Sequence, residues 1–437
     1  MFTFIFHQLW NQRRQNGWIF LELLVAGFFL WTVIDPVAVL TANHRIDKGY
    51  NSDRLYLVEV GAYDATNGNY RAEADNDSLR KAAYERMART LRELPEVGSF
   101  AIVYLQSIPN GVTWSGTQLF PDTAAVSRDN GFVHAQQYRF ITGDGSNPFH
   151  TYGMKDALTG GDLKLPADPR DQVFISERLA QRLFGTSDVT GRKVYGGNRS
   201  ELTVAGVFAN FKHRDYEQPY PLAISLESEM RASRYMHWQY CFAIRLKDGV
   251  DAAAFERRFN DEVKPMLSMG NYYCDRLETF NRQSAIYAAR SGVTNKLRLQ
   301  YSLTGFTILC VFLGMVGTFW IRCNARRQEI GVMCSMGASR RTICRQFLIE
   351  SWMLVTIAFI VVLPLLLHHA WINGFYVMEM NDEFVSDPAY WQNRFGAHFC
   401  IVSLLTYVLL LAVALIGTYI PVLRASRTRP AEALRDE

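Results

Sequence analysis

Four segments, Trp18 to Leu40, Leu303 to Ile321, Phe347 to Leu367 and His398 to Ile420, are apolar over about 19 to 23 residues each. At 1.5 Å of rise per residue, a helix of that length crosses a hydrocarbon layer of ~30 Å. The chain therefore reads as an α-helical membrane protein with four transmembrane helices, at 18–40, 303–321, 347–367 and 398–420. Residues 41–302 separate the first span from the second. That is too long for a connecting loop and enough for one sizeable or two small folded domains. A mean hydropathy near zero hides this layout, because a polar head and an apolar base cancel when pooled.

The net charge of +4 is small, but the arginines are unevenly placed. Arg13 and Arg14 precede the first span. The segment 322–346 carries Arg322, Arg326, Arg327, Arg340, Arg341 and Arg345 against Glu329, whereas 368–397 carries Glu379, Asp382, Glu383 and Asp387 against Arg394. The positive-inside bias then puts residues 1–17, 322–346 and 421–437 in the cytoplasm and turns the head and the 368–397 loop outward. The first span is longer than a signal-peptide core, and no small-residue cleavage site follows Asp35-Pro36, so it reads as a retained anchor. Ahead of it, Phe2, Phe4, Ile5, Phe6, Leu9 and Trp10 have the composition of a short helix lying among lipid headgroups.

Several chemistries are not expected. The seven cysteines contain no C-x-x-C pair, so no metal centre is assigned. A Cys241–Cys274 bridge and two buried free thiols both remain open. No phosphate-binding G-x-x-x-x-G-K-S/T run occurs. Its nearest look-alike, Gly185 to Gly191 followed by Arg192-Lys193, has the wrong spacing. Ser176, His134, His150 and His213 are scattered, with no nucleophile elbow or H-E-x-x-H motif, and read as core or surface residues. The chain is thus not expected to be an enzyme, to carry a cofactor or to bind nucleic acid.

Within the head the periodicity runs in an ordered sequence. Arg54 to Val60 reads as a strand, Ser78 to Leu94 as a helix after a polar Asn76-Asp77 start, and Phe100 to Leu105 as a strand. The same order returns at Tyr240 to Leu246, Asp251 to Leu267 and Tyr272 to Phe280. Two β-α-β units interrupted by an insertion predict an α+β head, a ferredoxin-like split β-α-β sandwich assembled from both ends of the segment. The insertion, about 108–226, is rich in Gly, Pro and Asn with runs such as Leu202 to Phe208, and reads as a mostly β subdomain.

Three stretches of residues resemble a known family. Val173-Phe174-Ile175-Ser176-Glu177, Leu183-Phe184-Gly185, Gly191 and Val204-Ala205-Gly206-Val207 resemble the periplasmic core of MacB-type permeases. Arg326, Glu329-Ile330-Gly331, Met336-Gly337-Ala338-Ser339 and Phe347-Leu348-Ile349-Glu350 are similar to the FtsX-like permease signature, and Pro421, Arg424-Ala425, Arg429-Pro430 and Glu432-Ala433-Leu434-Arg435 to its tail. Met333-Cys334 departs from the pattern, where members more often carry a basic or small pair. The resemblance implies the permease subunit of a type VII ABC system without a fused ATPase, in the bacterial inner membrane. It implies a separate ABC ATPase as partner, a second permease copy or homologous permease, membrane lipid, and room for a periplasmic or outer-membrane partner. ATP-driven motion would reach the periplasmic head for export, extraction or mechanotransmission. A non-transport membrane receptor, or a cell-division or cell-wall scaffold, is the alternative class. The substrate is not legible.

Residues 322–346 predict a short elbow. A helix continuing from span two through Arg322 to Met336 would end at Gly337, suited to a left-handed backbone, and Ser339 would cap the helix leading into span three. Arg340 and Arg341 in that helix's first turn oppose its positive dipole end, so anionic lipid or an acidic partner is the better reason for them. The resemblance makes Arg326, Glu329, Ile330, Gly331, Met336, Gly337, Ala338 and Ser339 the ATPase-coupling residues. Glu22, a carboxylate inside the first span, is expected to make a polar contact between helices. His368 and His369 read as a polar boundary pair.

Overall fold

The computed structural model describes residues 13–111, 115–197, 199–378 and 387–426. The aromatic run at 2–10, the acidic positions Glu379, Asp382 and Glu383, and the tail motif from Arg429 lie outside the described residues. The chain divides into a helical unit, which includes residues 13–42, 293–378 and 387–426, and a head, residues 43–292.

Four helices, Arg13–Arg45, Val293–Ala325, Arg340–Asn373 and Phe395–Ala425, are long and apolar enough to cross a membrane. Each overruns its apolar stretch at both ends, because backbone pairing, once nucleated, propagates regardless of side-chain polarity. Along the first helix Ile19, Leu23, Ala26, Leu30 and Ile34 are buried at steps of three or four residues. They share a core with Met315 and Phe319, Val355 and Val362, and Leu410 and Ala414 of the other three helices. Polar ties cross this core: Trp31 Nε1 donates to Ser403 Oγ at 3.1 Å, Thr418 Oγ1 to Ser351 Oγ at 3.0 Å, and Thr356 and Tyr407 hydroxyls lie 2.9 Å apart. Such bonds favour one helix arrangement where lipid and protein interiors are equally apolar.

In the head, strands β1 (Leu55–Ala62), β2 (Val97–Tyr104), β9 (Tyr240–Leu246) and β10 (Tyr272–Thr279) stand in the order β10-β1-β9-β2, every neighbouring pair antiparallel. With the helices Asp77–Arg92 and Ala252–Arg258 this is the split β-α-β sandwich. Asn76 starts the first helix, its side chain accepting from Leu79 N at 3.0 Å. Both sheet faces are covered. Tyr56, Val58 and Val60 join Phe100, Ile102, Phe242 and Ile244 in one core, while Leu55, Leu57, Ala101, Val103 and Ala243 enter a second. Burial on both faces explains why these strands read as nearly continuous apolar runs.

The insertion adds β3 (Gly116–Phe120), β4 (Val133–Ile141), β5 (Gln172–Ser176), β6 (Lys193–Gly196), β7 (Glu201–Phe208) and β8 (Leu222–Glu227). It shares the same sheet, because β4 pairs with β2 at Ile102↔Ile141 and Val103↔Phe140. The β4–β8 and β5–β7 pairs are parallel, so the ten-stranded sheet is mixed. Cys241 and Cys274 are both free and buried, and belong to different cores. Burial pushes the Cys274 thiol up to about 12.

Candidate functional site

The elbow follows the C-terminal end of the helix whose N-terminal end is joined to the head. The continuous helix expected from Arg322 to Met336 is interrupted at Arg326: one helix ends at Ala325 and the next spans Arg327–Ser335. The bonds Arg326 N to Arg322 O and Ile330 N to Arg326 O, both 3.0 Å, carry the chain across the break. Gly337 has φ of +88°, and Ala338 N reaches back to Met333 O at 2.9 Å, closing the helix end through a left-handed residue. Ser339 Oγ then accepts from Thr342 N at 3.2 Å and caps the helix Arg340–Asn373.

Burial divides the eight residues expected here. Arg326, Ile330 and Gly331 face inward, whereas Glu329, Met336, Gly337 and Ser339 are exposed and Ala338 is half-buried. Met336 is 83% exposed at the tip, with Val332 one turn behind it. An apolar side chain held out by a tight turn and flanked by Arg340 and Arg341 can enter a pocket of another protein.

A buried ion-pair cluster anchors this elbow. Glu350, 1% exposed in the helix Arg340–Asn373, accepts from Arg322 Nη1 at 2.9 Å through Oε1 and from Arg326 Nη1 at 3.3 Å through Oε2. Arg326 Nε also donates to Glu329 Oε2 at 2.8 Å. The guanidiniums lie over the rings of Phe319, at 5.1 Å, and Phe347, at 4.9 Å. One carboxylate thus holds the end of one span, the start of the elbow and the next span together. Removing one side of such a cluster strands charge in an apolar setting, so the arrangement is rigid even where its net contribution to stability is small. The sequence carried the signal: Glu350 is a lone carboxylate within an apolar span, the same criterion that singled out Glu22.

Glu22 lies between the first and second spans with its carboxylate against Gly314, where an added Cβ would have no room. At the other end of the helices, Asp35 Oδ1 is 2.5 Å from His398 Nε2 and Asp35 Oδ2 accepts from Tyr376 N at 2.8 Å. This tie between spans one and four was also missed, because Asp35 and His398 sit near span ends where polar residues are ordinary. His369 packs edge-on to Phe28 and Trp31 and lies 3.1 Å from Asn373.

The head holds a second unforeseen cluster, in the irregular but buried stretch 211–220. Lys212 Nζ donates to Asn43 O at 2.7 Å and Asp215 O at 2.6 Å. The Asp215 carboxylate pairs with Lys48 at 3.1 Å and accepts from Asn110 at 3.3 Å and from the Ser284 hydroxyl. Arg214 donates to Glu217 at 3.1 Å, and His213 Nδ1 lies 2.7 Å from the Tyr138 hydroxyl. Desolvation lowers Lys212 to about 8 and His213 to about 3, and raises Glu217. Asn43 and Lys48 begin the head after the first span, and Ser284 sits in the helix Phe280–Arg290 that leads to the second. The chain segments entering and leaving the head are therefore bound to each other through Asp215.

The strand ends opposite this joint open a cavity of about 440 Å³ lined by Tyr63, Asp64, Tyr70, Arg234, Trp238 and Tyr272, among others. Ser176, buried, caps the helix Glu177–Phe184 and accepts from Leu222 N at 3.0 Å, a structural role. Among the described residues no cluster of His, Cys, Asp and Glu could hold a metal ion.

Residues 38–262 match the MacB-like periplasmic core domain family, just over half of the 437 residues, and residues 301–430 match the FtsX-like permease C-terminal family. The chain is 24% identical over 299 residues to the "Probable syringafactin export ATP-binding/permease protein SyfD" of Pseudomonas syringae, covering 67% of this chain and 42% of that protein. It is 26% identical over 208 residues to the "Macrolide export ATP-binding/permease protein MacB" of Salmonella typhimurium, covering 46% and 31%. The matches thus span less than half the length of either relative. The periplasmic region of MacB from Actinobacillus actinomycetemcomitans aligns with a TM-score of 0.32 at 14% identity, covering 55% of this chain and 96% of that one.

Proposed function

Because the chain belongs to the ABC permease family defined by a MacB-like periplasmic core domain and an FtsX-like C-terminal region, we propose that it couples ATP hydrolysis to movement of its periplasmic head. In this reading it is a permease subunit of the bacterial inner membrane. A separate ABC ATPase docks on the exposed elbow residues Glu329, Met336, Gly337 and Ser339. Two permeases, identical or homologous, sit over two ATPases, since four spans offer one elbow to a paired engine. The relatives' names join ATP-binding and permease roles, while this sequence contains no phosphate-binding loop.

The observation that carries the proposal is the Glu350 cluster. A push on the elbow cannot be absorbed locally, because Arg322, Arg326 and Glu350 bind elbow and two spans as one body. The Asp215 joint supports the same reading, since it links the chain entering the head to the chain leaving it. The motion then passes as a rigid shift between two arrangements, and cargo need not cross the lipid-embedded helices. Export, extraction of a lipid-anchored substrate and control of a periplasmic partner are all served by this device.

The test is co-purification of the ATPase with Gly337→Trp and Met336→Asp, both placed where no apolar span is touched. Loss of ATPase binding or of permease-stimulated ATP hydrolysis is expected. Binding and hydrolysis both equal to wild type would sink elbow docking.

A further inference from the structure

Between the third and fourth spans, at the end next to the elbow, runs a groove of about 420 Å³. Arg341, Arg345 and Trp352 fall on one stripe of the third span, and Leu415, Tyr419 and Leu423 on one stripe of the fourth. The two helices run antiparallel, as Cys344 faces Ser426, Ser351 faces Thr418 and Thr356 faces Tyr407. Arg340, Arg341 and Arg345 therefore gather at one mouth, and apolar walls extend from them for about 16 Å along the axis. Among the described residues no carboxylate lines the groove. All three arginines are exposed, and among the described residues none forms an ion pair. This contrasts with Arg322 and Arg326, whose charges meet Glu350.

Topology alone does not require this arrangement. Arginines on any face of the elbow would satisfy the positive-inside bias, and two of these three oppose the helix dipole. We propose that the groove binds an anionic phospholipid, its phosphate held by Arg340, Arg341 and Arg345 and an acyl chain lying along Trp352, Leu415 and Tyr419. Charge complementarity selects the headgroup, and the apolar walls select a lipid over a free anion or an acidic protein surface, neither of which would fill them. The site is distinct from the exposed elbow tip and stands whether or not an ATPase docks there.

Full-length protein in mild detergent, titrated with phosphatidylglycerol, phosphatidylcholine, glycerol phosphate or inorganic phosphate, is read by native mass spectrometry. Phosphatidylglycerol should bind selectively. Replacing all three arginines by glutamine should weaken it about 100-fold, with phosphatidylcholine unchanged. Leu415→Trp, which fills the groove and keeps every arginine, should also abolish retention, and it serves as the decisive variant if the triple change fails to fold. Wild-type binding by Leu415→Trp would point to a surface charge effect or an acidic partner instead. Equal displacement by inorganic phosphate, or an unaffected triple variant, would likewise overturn the proposal.

Discussion

The helical unit and the head both bury charged pairs, Glu350 with its arginines in one and Arg214 with Glu217 in the other, but the head also buries two basic side chains that are held in another way. In the helices, Glu350 is met by full opposite charges from Arg322 and Arg326. In the head, the Lys212 ammonium is met chiefly by two carbonyl oxygens, those of Asn43 and Asp215, and the His213 ring by a phenol. Charge met by charge makes a tie that fails only when one partner is removed. Charge met by neutral dipoles stays costly to hold, which is why Lys212 and His213 titrate away from their ordinary values. The helices therefore carry a fixed clamp and the head a joint that responds to pH.

The largest effect should come from breaking the clamp from one side. Glu350→Ala strands the buried Arg322 guanidinium and leaves Arg326 only the exposed Glu329, and thermal unfolding in detergent should report a loss of about 3–5 kcal/mol. Replacing Arg322, Arg326 and Glu350 together by methionine should cost much less, yet uncouple ATP hydrolysis from head movement. If the single and triple variants lose equal stability, the cluster is not a charge-compensated unit.

Next comes acid. The folded-state value for His213, about 3, lies below its ordinary 6.5, so the unfolded chain takes up the proton first as pH falls. Its contribution is complete above pH 6.5 and declines toward pH 3, by about 3 kcal/mol at pH 4. Amide exchange across 211–220 should accelerate over that interval. His213→Gln should flatten the dependence, and an unchanged slope would remove His213 as its source.

Lys212 works at the other end of the scale. With a folded value near 8 against an ordinary 10.5, the unfolded state holds a proton that the folded state has released between those limits, so stability rises as pH climbs from 8 to 10.5. Lys212→Met should erase that rise. At neutral pH it should also cost about 1–3 kcal/mol by leaving the Asn43 and Asp215 carbonyls unpaired. The smallest effect is expected at Gly337→Ala: open space surrounds the site, but φ of +88° disfavours a side chain by about 1 kcal/mol. That loss should appear as faster exchange in the elbow alone.

Much of the architecture was legible in residue order. Apolar length marked four spans, and the short, nearly continuous apolar runs Tyr56 to Val60 and Tyr240 to Ile244 marked strands of the split sandwich. Gly337 and Ser339 announced a helix stop and a helix start, because a left-handed backbone and an N-cap are demands of single residues. The insertion's membership in the main sheet was not legible, since it rests on the short Ile102–Ile141 and Val103–Phe140 register between segments far apart in the chain.

The sequence by itself determined what local physics can specify: spans long enough for a bilayer, strand and helix periods, capping residues and an uneven distribution of arginines. Tertiary structure alone decided which charges meet. Glu350 finds Arg322 across 28 positions, Asp35 finds His398 across 363, and Asp215 collects Lys48, Asn110 and Ser284 from three separate segments. Electrostatic partnership depends on distance in space and on the water excluded around it. Neither is written in the spacing of residues along a chain, so the clamp, the joint and the arginine-rimmed groove became visible only once the chain was folded.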